Sequence, residues 1–113
     1  MITATTRVRE DVSIVYLAGK LIASDAAVLY DTVQRLTAKG VSKIVINMDQ
    51  LELMDSSGLG ELGKSAKLAA SKGAALKLAN VGRDVRRTLE TVGYLGLFEL
   101  FDNEATAVAS FRG

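Results

Sequence analysis

Lys43-Ile44-Val45-Ile46-Asn47-Met48, then Leu51-Glu52-Leu53-Met54, then Asp55-Ser56-Ser57-Gly58-Leu59-Gly60, is the stretch on which the fold turns. The unbroken apolar centre of its first part suits a strand covered on both faces, and so a central strand. Beyond the Asp-Ser-Ser-Gly segment, Leu59, Leu62, Ala66 and Ala69 recur at i, i+3, i+7 and i+10, the spacing of one helix face. Gly63, Ala66 and Ala70 give that helix a small surface that can approach a sheet closely, and Gly73 is placed to stop it. A strand running into a helix through two serines is therefore the centre of the chain.

Working outward, Ile2, Ala4, Thr6 and Val8 alternate with Thr3, Thr5 and Arg7, the period of a half-buried strand. Glu10-Asp11 breaks the run, and Val12–Ala18 resumes it with β-branched and aromatic residues, which predicts an antiparallel hairpin ending at Gly19. Ser24 is placed to cap a helix with Ala26, Leu29, Tyr30, Val33 and Leu36 inward and Gly40 at its end. Ala74–Ala79 reads as a further strand, followed after Gly82 by a helix with Val85, Leu89 and Val92 inward. Phe98–Phe101 reads as a short last strand, with Asp102 or Asn103 capping a final helix bearing Ala105, Val108 and Phe111. The expected fold is α/β, a mixed four- to five-stranded sheet with about four helices packed against it.

Composition narrows the function. The chain has 113 residues, enough for one core, and no histidine or cysteine, which removes disulfides, zinc sites of those ligands, thiolate nucleophiles and histidine-based triads. A net charge of +1 offers little attraction to nucleic acid. No window approaches the roughly 20 apolar residues of a membrane span, and Met1–Arg7 has no apolar segment behind a basic start, so a soluble cytoplasmic protein is expected. A serine hydrolase is disfavoured because the Gly-x-Ser-x-Gly elbow is absent and no histidine can act as base.

At Asp55–Gly60 hydroxyls stand at a helix N-terminus, where free N–H groups and the helix dipole favour an anion such as a phosphate on Ser56. Gly58 and Gly60 would leave backbone open to another protein. Taken alone, the tetrapeptide is no more than a helix cap at Ser56. Asp55 has two candidate roles, orienting the Ser56 hydroxyl or finishing the strand by accepting backbone hydrogen bonds. Arg83-Asp84-Val85-Arg86-Arg87, Lys64 and Lys67 read as solvated charges on helix faces.

Leu17-Ala18-Gly19-Lys20-Leu21, Ile44–Met48, Leu53–Gly60 and Val92-Gly93-Tyr94-Leu95-Gly96-Leu97-Phe98 together resemble the STAS family, specifically its bacterial anti-sigma factor antagonists. The resemblance covers nearly the whole chain, so residues 1–113 are expected to be a single STAS domain. It implies a non-enzymatic partner switch: the unphosphorylated form binds an anti-sigma factor serine kinase and frees a sigma factor, and phosphorylation of Ser56 ends the binding. A metal-dependent serine phosphatase would restore the active form. The expected partner-binding residues are Ile22, Ser24, Asp55, Ser56, Ser57, Gly58, Leu59 and Gly60; no catalytic residue, metal or cofactor is implied. Related antagonists carry an acid where this chain has Ile22, which is then either an interface contact or part of the core. The alternative is a phosphorylation-independent STAS subunit of a transporter or stress-sensing assembly.

Overall fold

The computed structural model describes residues 1–112. Strands β1 (Ile2–Arg9) and β2 (Val12–Leu21) form the antiparallel hairpin. A 3-10 turn (Ala23–Ala26) leads into α1 (Ala27–Ala38), followed by β3 (Lys43–Met54), α2 (Ser56–Ser71), β4 (Ala75–Ala79) and α3 (Arg83–Thr91). After a 3-10 turn at Leu95–Leu97 come β5 (Leu100–Phe101), α4 (Glu104–Ala109) and a last turn, Ser110–Arg112. The sheet order is β1-β2-β3-β4-β5, with β2 to β5 mutually parallel.

Strand alternation divides the core into two layers. Val15, Leu17, Ile44, Ile46 and Leu78 face α1, α2 and α3 and pack with Leu29, Leu62 and Leu89. Val12, Ile14, Val45 and Ala79 face the other way and meet Ala107 and Val108 of α4. The central strand is thus covered on both faces, as its apolar run requires.

Several local expectations are corrected. Gly19 does not end β2, which continues to Leu21: its φ is +106° and a Cβ there would overlap the Met1 carbonyl, so glycine lets the start of β1 lie against the strand. Ser24 does not cap α1. It lies inside the 3-10 turn, and neither the turn nor α1 has a side-chain cap. On β1 only Ile2 and Ala4 reach the core, while Val8 is 75% exposed because its end of the edge strand is not packed against the main core. Val92 lies just past α3 and is exposed, since Tyr94 and Leu95 pack against the core in its place. In α4 the inward residues are Ala107 and Val108, and Ala105 is exposed.

Candidate functional site

The parallel strands β2 and β3 end side by side, with Leu21 paired to Met54. Asp55 follows at once with extended backbone and is the N-cap of α2. Its Oδ1 accepts the Gly58 N–H at 3.0 Å and its Oδ2 accepts the Ala23 N–H at 3.1 Å, while its own N–H reaches the Leu21 carbonyl at 3.4 Å. The Gly58 N–H above all, with those of Ala23 and Ser57, holds the Asp55 carboxyl below its usual 3.8 against the opposing effect of desolvation. The carboxylate is therefore committed to backbone donors, the second of the two roles its sequence position suggested, and it starts a helix in addition to ending a strand.

Ala23 sits at φ +50°, a conformation that costs a non-glycine residue about 1 kcal/mol or more. The hydrogen bond to Asp55 is one of the contacts that hold it there. By this tie the turn carrying Ser24 is fixed beside the start of α2.

With Asp55 as cap, Ser56 and Ser57 become the first two helical residues, and both are exposed. Neither hydroxyl makes a hydrogen bond among the described residues. Gly60, one turn on from Ser56, is also exposed, and a Cβ there would meet nothing within 4 Å. Ser24 is exposed and Ile22 half-buried at the head of the 3-10 turn. These residues share one end of the sheet, around the C-termini of β2 and β3.

Gly58 and Leu59 differ from that group. Gly58 is buried rather than open to another protein: a Cβ there would overlap the Leu21 carbonyl and come within 2.7 Å of Met54 Cγ. Leu59 is 8% exposed and belongs to the core. Their part is to seat α2 against the strand ends, which presents the serines outward. Leu53, which is not among the expected partner-binding residues, is 49% exposed two residues before Asp55. The sequence signalled only that one of the apolar neighbours Leu53 and Met54 must face outward, since adjacent strand residues point opposite ways; in the structure Met54 is the buried one.

Further along α2 lies a groove of about 520 Å³ lined by Gly60, Gly63, Lys64, Ala66, Lys67, Ala70, Tyr94 and Leu97. At Gly63 a Cβ would stand 3.0 Å from the Tyr94 hydroxyl, so any side chain there needs the end of that ring to give by a few tenths of an ångström. Lys64 pairs with Glu61 at 3.1 Å and lies over the Tyr30 ring at 4.5 Å. On the opposite face of the sheet, Glu104 collects Tyr16, Asn47 and Arg9. Among the described residues no cluster of acidic side chains is suited to a metal ion, and no helix is long and apolar enough to cross a membrane.

The family model described as STAS domain matches residues 3–107. The anti-sigma F factor antagonist of Paenibacillus polymyxa is 33% identical over 69 residues, 61% of this chain, and the match spans about three-fifths of that relative's length (59%). An anti-sigma factor antagonist from Mycobacterium paratuberculosis has a similar structure, with a TM-score of 0.89 at 21% identity, covering 100% of this chain and 96% of that one. The Bacillus cell fate determinant SpoIIAA in its phosphorylated form superposes with a TM-score of 0.75 at 19% identity, covering 99% and 100%. At such identities the structures establish a shared fold.

Proposed function

The chain belongs to the STAS domain family, and from that membership we propose that it is an anti-sigma factor antagonist whose partner binding is switched by phosphorylation of Ser56. In this reading the unmodified protein binds an anti-sigma factor serine kinase and releases a sigma factor. The kinase phosphorylates Ser56 and so ends the binding, and a metal-dependent serine phosphatase resets it. The chain itself acts as ligand and substrate without catalysing a reaction.

The observation that carries the reading is the exposed Ser56 hydroxyl on the first turn of a helix whose cap is already supplied by Asp55. A serine relieved of capping can be modified without unmaking the helix start. A phosphate placed there adds roughly −1.5 to −2 charges beside the helix N-terminus, which tolerates an anion. Toward a partner the same charge adds to that of the Asp55 carboxylate and makes the contact surface more strongly anionic. Ile22, Ser24, Ser57 and Gly60 complete that surface, with Asp55, Gly58 and Leu59 fixing its shape. The names borne by the Paenibacillus polymyxa relative and by phosphorylated SpoIIAA agree with this reading.

Incubation with Mg-ATP in an extract of the native cells, followed by site-resolved mass spectrometry, tests the modification. Phosphate confined to Ser56 and lost in Ser56→Ala is the expected result. A chain left unmodified would favour a phosphorylation-independent scaffold.

A further inference from the structure

Strand β3 outruns its neighbour β4. It is 12 residues long, yet β4 pairs with it only over Lys43–Asn47, whereas β2 accompanies it to Met54. Among the described residues no backbone hydrogen bond joins Gln50–Leu53 to anything on the side away from β2. Two hollows, of about 290 and 60 Å³, follow this bare edge. Both are lined by Glu52, Asp84 and Val85, so they form one trough between the strand edge and α3, with Leu51 and Leu53 on its strand side and Gly82 and Arg83 at the head of α3. Neither the Glu52 nor the Asp84 carboxylate forms an ion pair among the described residues.

We infer that this edge receives an extended, basic segment of a partner protein as an added strand. Unpaired strand N–H and C=O groups are matched by another extended backbone, because only that geometry meets them in series. Arg83 offsets one of the two unpaired carboxylates, which leaves the trough acidic by one charge, so it favours lysine or arginine in the incoming segment beside Glu52 and disfavours an acidic residue there. A second copy of this chain is a poorer occupant. Its own outer edge, β1, would join this edge heterologously and give open-ended association, while two copies of this edge paired about a two-fold axis would bring the Glu52 and Asp84 carboxylates of both together. The docking needs no modification of Ser56 and stands apart from the phosphorylation reading.

Selection of binders to the folded, unphosphorylated chain from displayed random peptides of about eight residues, a common strand length, tests the inference. The selected peptides, synthesised, are then followed by amide hydrogen exchange. Enrichment of Lys or Arg is expected, with slowed exchange within Gln50–Leu53 and loss of binding when alternate peptide nitrogens are methylated. The double variant Glu52→Lys, Asp84→Lys should bind on the order of tenfold more weakly. Ser56→Ala should bind as the parent does, which separates this site from the switch. The inference is overturned if no binder to this edge is recovered, if selected peptides lack basic residues, or if exchange at Gln50–Leu53 is unchanged. It is equally overturned if the same amides become protected on raising the protein concentration alone.

Discussion

The Asp55 carboxylate accepts the backbone N–H of Ala23 at 3.1 Å across 32 residues of sequence. One side chain thus fixes both the start of α2, through Gly58, and the turn that precedes α1. Asp55→Ala should release both at once. Amide exchange at Ala23 and Gly58 should accelerate together and the thermal midpoint should fall, whereas the core amides of β3 should change only with global stability. Because the folded pKa of Asp55 lies below 3.8, its contribution is complete above that value and is lost as pH falls through the lower, folded one. Parent and variant should therefore converge in stability toward acid.

The two glycines flanking Leu59 should respond in opposite directions. Gly58→Ala drives a methyl into the Leu21 carbonyl and Met54 and should destabilise the fold by about 1–3 kcal/mol or more. Gly60→Ala enters open space on an exposed helical position and should stabilise by roughly 0.5–1 kcal/mol. Urea unfolding of the pair distinguishes a steric requirement at Gly58 from a general dislike of side chains in this turn.

Glu104 ties α4 to the sheet by accepting from Tyr16 Oη at 2.6 Å, Asn47 Nδ2 at 3.2 Å and Arg9 Nη1 at 2.9 Å. Burial pushes its carboxyl up, but the bonds from Tyr16, Arg9 and Asn47 outweigh that and leave it below its usual 4.5. Glu104→Gln should lower stability at neutral pH by about 1–2 kcal/mol. The folded value being the depressed one, the deficit should be full above 4.5 and shrink as pH falls through the lower, folded value, as read from urea midpoints across acid pH.

Periodicity made the sheet and its helices legible, because Leu29, Val33, Leu62 and Leu89 repeat their burial at helical spacing and Ile44–Met48 shows no polar face to water. What periodicity could not supply were contacts distant in sequence. Ser24 and Ser56 look like caps, yet α1 starts through a 3-10 turn and α2 is capped by Asp55, whose second partner lies across the fold at Ala23. Gly58 reads as an open site until Leu21 and Met54 are seen against it. The length of β3 was hidden because a register shift between Tyr16 and Ala18, where the Asp49 N–H turns to the Asn47 side chain, interrupts the alternation. The Glu104 cluster joins residues 57 to 95 positions apart and left no local pattern.

The central claim is most directly tested by the affinity of the purified anti-sigma factor kinase for three forms of the chain: unmodified, phosphorylated on Ser56, and Ser56→Ala. Tight and equal binding of the unmodified and Ser56→Ala forms is expected, with the phosphorylated form weaker by about a hundredfold or more. Equal affinity for all three would contradict the account.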